Sequence, residues 1–209
     1  MKNLLVAALL SIMLLPGAFA ATEGGVHYKT LDNPQPTDAG SGRVEVAEFF
    51  WYACPHCYAF EPYLENWLAH KPKNVEFKRI PVMQGYAWAK PMAQAYYTEV
   101  ALGVVDKLHK AIFDEIHIRH HILKSKDDFK QFFEKHGVSG KDFDSAWNSF
   151  AVAVNMKRAA KEESAYQIMG VPTIAVGGRY TATLVAGQGP PDLPKAIDFL
   201  VHKVEKGGK

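Results

Sequence analysis

The chain has 209 residues, with 24 basic against 22 acidic side chains and a formal charge of +2. So even a balance makes no electrostatic case for nucleic acid or an anionic membrane surface as partner. Two cysteines in the whole sequence exclude a disulfide-stapled scaffold, and nearly half the residues are apolar, enough for a substantial hydrophobic core.

Met1-Lys2-Asn3 carries one basic side chain, Leu4 to Leu15 is almost wholly apolar, and Ala18-Phe19-Ala20 puts small residues where a signal peptidase reads. This predicts a secretory signal over 1–20, cleaved after Ala20. The apolar run is too short for a membrane span, which needs about 20 residues. About 189 residues would then remain, exported into an oxidising space where a dithiol can be held as a disulfide. Thr22 to Gly42 is polar and rich in Gly and Pro, with one extended candidate at Val26-His27-Tyr28-Lys29. A strand is expected over about 43–51, then a helix from Pro55, where a missing N–H costs nothing. Pro62 is expected to kink that helix. Val75 to Ile80 alternates as a second strand and stops at Pro81.

From about 86 the period becomes helical. Met92, Ala95, Tyr96 and Leu102, closed by Gly103, read as one helix; Val105, Leu108, Ile112 and Ile116 read as the next. Ser125 to Asp128 resembles a capping box ahead of Phe129, Phe132 and Phe133, and Gly137 ends that helix. Ser139 opens another through Phe143 and Trp147, and a last one runs from about Phe150 to Met169. Strands return at Thr173–Val176 and Tyr180–Leu184, joined by Gly177-Gly178 as a two-residue hairpin turn, and a helix spans about Asp192 to Lys206. The order is strand, helix, strand, a block of helices, then strand, strand, helix. This is an α/β domain with an inserted all-helical domain.

The chemistry concentrates at Cys54-Pro55-His56-Cys57. A dithiol between a strand and a helix sits where unpaired N–H groups and the positive end of the helix dipole favour thiolate over thiol. Thiolate is the species that attacks a disulfide. A structural disulfide is disfavoured because so small a loop constrains the unfolded chain little, and zinc because no second Cys pair supplies four ligands. Cys54 is expected exposed at the helix N-cap, with Cys57 on the same face and less accessible. His56, between them, can hold the thiolate by charge or hydrogen bond. Glu48 shares strand parity with Val44, Val46 and Phe50, which puts an acid on an apolar face; Lys78 is the preferred basic partner, with Arg79 the choice if the register shifts by one.

Cys54-Pro55-His56-Cys57-Tyr58, Glu48-Phe49-Phe50 and Gly170-Val171-Pro172-Thr173 resemble the DsbA family of thiol:disulfide oxidoreductases, within the thioredoxin superfamily. The resemblance spans essentially the mature chain. It implies a thioredoxin-like fold with the halves at 21–85 and 169–209 and the helical domain at 86–168. It implies a cis Val171–Pro172 bond facing the cysteines, with the Val171 backbone ready to pair with an extended substrate, and a buried Glu48 that relays a proton near Cys57. The chain is therefore expected to be a periplasmic, monomeric oxidase of unfolded exported proteins, with no metal and with no cofactor because the cysteines carry the electrons; the resemblance further implies reoxidation by a DsbB-type membrane quinone oxidoreductase. The rivals are a reductase or isomerase of the same fold, and a binding protein with a structural disulfide or a Cys/His metal site. His117, His120 and His121 are expected at a helix end rather than around a metal.

Overall fold

A computed structural model describes residues 20–207 except 24, 84 and 86, so the expected leader lies outside the described residues but for Ala20. Two short strands, β1 (Ala20–Glu23) and β2 (Val26–Thr30), form an antiparallel hairpin; β1 was not anticipated. The strand β3 (Val44–Phe50) leads through a short turn into α1 (Pro55–His70), which continues past Pro62 as one helix and returns to β4 (Val75–Pro81). Five helices follow: α2 (Ala89–Leu102), α3 (Val105–His117), α4 (Lys126–Lys135), α5 (Gly140–Trp147) and α6 (Phe150–Ala165). The chain closes with β5 (Thr173–Val176), β6 (Tyr180–Thr183) and α7 (Asp192–Glu205). The strands make one sheet in the order β1-β2-β6-β5-β3-β4, with β3 parallel to β4 and antiparallel to β5.

Local chemistry explains most boundaries. Gly103 closes α2 in the left-handed conformation and takes up the carbonyls of Glu99 and Val100. Ser125 and Asp128 form a reciprocal capping box at the start of α4. The last inserted helix stops at Ala165, four residues short of the expected Met169, where Tyr166 caps it and buries its ring against Phe49. At the β5–β6 turn both glycines have positive φ, +59° and +67°. A Cβ on Gly178 would lie 2.0 Å from the Gln35 carbonyl oxygen, so the turn is pinned by a close backbone approach as well as by its dihedrals.

All seven residues of β3 are buried, because α1 and α7 cover one face of the sheet while the inserted helices cover the other. Val44 and Val46 pack with Phe60, Leu64, Ile197 and Leu200; Ala47 and Phe49 pack with the aromatic core of α2 to α6. The acids therefore have no exposed face to take. Glu45 points toward α6 and Glu48 toward α1. Phe129, Phe132, Phe133, Phe143 and Trp147 are all buried in the helical core. No helix among the described residues is long and apolar enough to cross a membrane.

Candidate functional site

The turn after β3 delivers Cys54 to the N-cap of α1, in extended backbone conformation, with Pro55 at the first helical position. Both cysteines are free thiols. Cys57 is fully buried, and Cys54, expected exposed, is itself only 7% exposed. The cause is the opposite wall: the Cys54 sulfur lies 3.4 Å from the Val171 carbonyl oxygen, beside the cis Val171–Pro172 bond. Pro55 and His56 are exposed, Val171 is half-buried and Pro172 is buried. A cavity of about 820 Å³ opens beside the pair, walled by His56, Met169, Val171, Pro172, Leu184 and Val185. Met169 is almost fully exposed there.

The two sulfurs are poised oppositely. The Cys57 hydrogen bond to Cys54 is the largest influence on the latter and outweighs its burial. The backbone N–H groups of Cys57 and His56 add to it, with a smaller electrostatic contribution from His56. Together they bring the Cys54 thiol down from 9.0 to about 6. Burial pushes Cys57 well above the ordinary thiol range, and the neighbouring Cys54 and Glu48 push it further. One thiol is thus a thiolate at neutral pH and the other holds its proton.

Glu48 is fully buried, and its partner is Arg79, not Lys78: Arg79 Nε donates to Glu48 Oε2 at 3.1 Å. The parallel register decides this, since Glu48 lies beside Arg79 and Ala47 beside Lys78. Lys78 therefore shares the face of Glu45 and pairs with it at 3.2 Å, together with Glu162 and Asp38. Burial, then the nearby charge of Glu61, raises the Glu48 carboxyl to about 8 in spite of Arg79. Arg79 also donates to Glu61 and Glu65 of α1 at 3.4 and 2.6 Å. Beyond them lie three residues that the sequence reading passed over as functional groups. Tyr52 Oη is 2.6 Å from Glu99 Oε1 and 2.7 Å from His109 Nδ1, and His109 Nε2 is 3.5 Å from Glu61 Oε1. His109 was legible: with Ile112, Phe113 and Ile116 it falls on the apolar stripe of α3. No spacing rule would have joined it to Tyr52 or Glu99.

His117 ends α3, where its Nε2 lies 2.8 Å from the Tyr52 carbonyl oxygen and its ring stacks on Tyr58 at 4.8 Å. His121 contacts Glu115, and the three histidines converge on no common point. His120 is exposed.

Comparison with known proteins agrees with this geometry. A family model described as DSBA-like thioredoxin domain matches residues 73–198. The thiol:disulfide interchange protein DsbA of Pseudomonas aeruginosa is 36% identical over the full length of both chains, and that of Burkholderia cepacia is 38% identical over 98% of each. Among solved structures, Pseudomonas aeruginosa DsbA matches with a TM-score of 0.80 at 37% identity, covering 86% of this chain and 93% of that one. DsbA from Xylella fastidiosa matches with a TM-score of 0.78 at 31% identity, covering 86% and 95%. The full-length relatives include the segment that carries the Cys pair, which the family model does not reach. The mixed sheet and its helical insertion are therefore the thioredoxin-like fold of these relatives, and the chain belongs to the DsbA family of thiol:disulfide oxidoreductases.

Proposed function

We propose that the Cys54–Cys57 disulfide is an oxidant for unfolded proteins newly exported to the periplasm, and that this chain works there as a monomer behind a cleaved leader. The carrying observation is the opposite poise of two thiols at one helix N-terminus, about 6 for Cys54 against a strongly raised Cys57. A client thiolate attacks the Cys54 sulfur, the Cys54–Cys57 bond breaks, and Cys57 leaves with the bonding pair. Glu48 hands it a proton. The client's second thiolate then attacks the client sulfur of the mixed disulfide and releases Cys54 as a thiolate. The client is oxidised by two electrons and the enzyme is left as the dithiol. Because Cys54 leaves as a stabilised anion, the forward direction is favoured.

Val171 and Pro172 would bind the client by strand addition. The Val171 carbonyl already faces Cys54, and the adjoining cavity has apolar walls that tolerate many side chains. Residues 21–85 and 169–209 are read as the two halves of the redox domain, with 86–168 as the inserted helical domain. A DsbB-type membrane quinone oxidoreductase would restore the disulfide, and the cysteines carry the electrons without a bound cofactor. The test is the reduction potential with denaturant melts of both redox forms. A reduced form more stable than the oxidised one is expected; a more stable oxidised form would make the protein a reductase.

A further inference from the structure

We propose that Glu99, Tyr52 and His109 form a buried hydrogen-bond chain that holds Glu61 as an anion against Arg79, and so positions Glu48 as the acid that protonates departing Cys57. The inference rests on the proton-transfer role given to Glu48 above and extends it to residues one layer deeper.

The argument is one of proton counting. Tyr52 has a single phenolic proton but two short contacts, to Glu99 Oε1 and His109 Nδ1. Both contacts are hydrogen bonds only if a neighbour supplies the second proton. Glu99 is fully buried in α2 with no cation in contact, so its carboxyl keeps its proton and can donate it to the Tyr52 oxygen. The Tyr52 proton then goes to His109 Nδ1, which leaves the N–H of the neutral ring on Nε2. That atom approaches Glu61 Oε1 to 3.5 Å, an electrostatic contact at the outer limit of hydrogen bonding, and neither atom has a hydrogen-bond partner among the described residues. His109 is held neutral because burial disfavours its cation: Phe50, Tyr52 and Phe113 surround the ring at centroid distances of 5.2 Å. The opposite tautomer would set a lone pair against a carboxylate, so the tautomer protonated at Nε2 is the one that suits an anionic Glu61.

The consequence reaches Glu48 through Arg79. One guanidinium serves Glu48 on β3 and Glu61 on α1, with the exposed Glu65 as third claimant. While Glu61 is ionised it occupies the cation and its charge opposes a second anion at Glu48. Glu61 itself is drawn below the ordinary carboxylate range: burial alone would raise it, but His109 and Arg79 outweigh burial. Glu48 therefore enters the reaction protonated, facing a Cys57 thiolate whose proton affinity is higher still. Tyr96 of α2 also faces this group, and Asp106 and Lys110 of α3 stand with Tyr58 at the rim of a cavity of about 610 Å³ that brings solvent toward Glu61 and His109. No proton passes through Arg79. The chain acts by charge and is a positioning device, not a wire.

The test compares the pH dependence of mixed-disulfide formation in wild type, His109→Phe and His109→Gln, using a peptide thiol of known ionisation. His109→Phe removes the donor to Glu61. Glu61 then protonates more readily, Glu48 takes Arg79 for itself, and the pH above which the rate falls should move down by about one unit. His109→Gln keeps an N–H and should restore most of the profile, which a purely structural role would not do. Independently of any variant, nitrogen NMR of the wild-type protein should find His109 protonated at Nε2. A His109 protonated at Nδ1, or a His109→Phe profile equal to wild type while that of Glu48→Gln is altered, overturns this inference alone. A Glu48→Gln enzyme with the wild-type profile removes the acid this chain serves, and overturns both readings together.

Discussion

The unequal poise of the two thiols makes the stability difference between the redox forms depend on pH. In the folded, reduced protein Cys54 ionises at about 6 against an ordinary 9.0. A folded value depressed below the unfolded one contributes stability that is complete above the unfolded value and fades as pH falls through the folded one. At pH 7 the folded thiol is about nine-tenths ionised, while the unfolded one is about one-hundredth ionised. In the folded protein thiolate then outnumbers thiol about tenfold, while the unfolded thiol is almost wholly protonated, so linkage contributes about 1.4 kcal/mol, trimmed toward 1 kcal/mol because the Cys54 sulfur keeps some contact with solvent. Cys57 works in the opposite sense, since its folded value is raised. Its stabilisation is full below the unfolded value and is lost only as pH climbs past about 9. Of the two thiols, only Cys54 acts between pH 5 and 8.

The oxidised protein has no thiol to ionise, and the burial of Glu48 burdens both forms. Subtracting one stability from the other therefore isolates Cys54. Guanidinium melts of reduced and oxidised protein at pH 5, 6, 7 and 8 should show the gap in favour of the reduced form widening by about 1–1.4 kcal/mol from pH 5 to 7. The reduction potential should move correspondingly, by up to about 30 mV beyond the shift expected of an ordinary dithiol. A gap that stayed flat over this range, or narrowed as pH rose, would refute the assignment of a stabilised thiolate at Cys54.

Cys57→Ser should accumulate mixed disulfides on Cys54 while Cys54→Ser forms none, and alkylation at pH 6 should label Cys54 and spare Cys57; mass spectrometry reads both. His56→Leu should raise the Cys54 midpoint, followed by thiolate absorbance, but by less than loss of the Cys57 hydrogen bond in Cys57→Ala, because His56 is the smaller contributor. Gly178→Ala should lower stability by at least about 2 kcal/mol in thermal melts, from left-handed backbone strain and the close approach to the Gln35 carbonyl, without moving the Cys54 midpoint.

What the sequence made legible was whatever chemistry is local along the chain. The capping box at Ser125, the closure at Gly103, the Gly177-Gly178 turn and the Cys54 N-cap each depend on a few neighbouring residues. The Cys54–Val171 contact joins residues 117 positions apart and followed only from the family resemblance. Pairing that depends on register was less secure. Lys78 and Arg79 are adjacent cations, and a shift of one residue between β3 and β4 exchanges their faces. Exposure at Cys54 was misjudged because the wall that covers it comes from the far end of the chain.

The layer beneath Cys57 was the least legible part, for a physical reason. Glu61, Glu99 and His109 lie on three helices, each with an otherwise ordinary apolar stripe, and Tyr52 ends an apolar run. A single polar residue in such a stripe marks a buried group but does not say what it meets. Burying several proton-bearing groups around one guanidinium costs desolvation energy that an apolar core would avoid. The arrangement offsets that cost only in part, since Glu48 Oε1, Glu61 Oε1, Glu99 Oε2 and His109 Nε2 have no hydrogen-bond partner among the described residues. A core that accepts this penalty directly behind a reactive thiol is shaped by the thiol's proton as well as by packing. In the reaction proposed above Cys57 leaves as an anion where burial disfavours one, and that is the reason to hold a proton on a neighbouring carboxyl such as Glu48 before the disulfide opens.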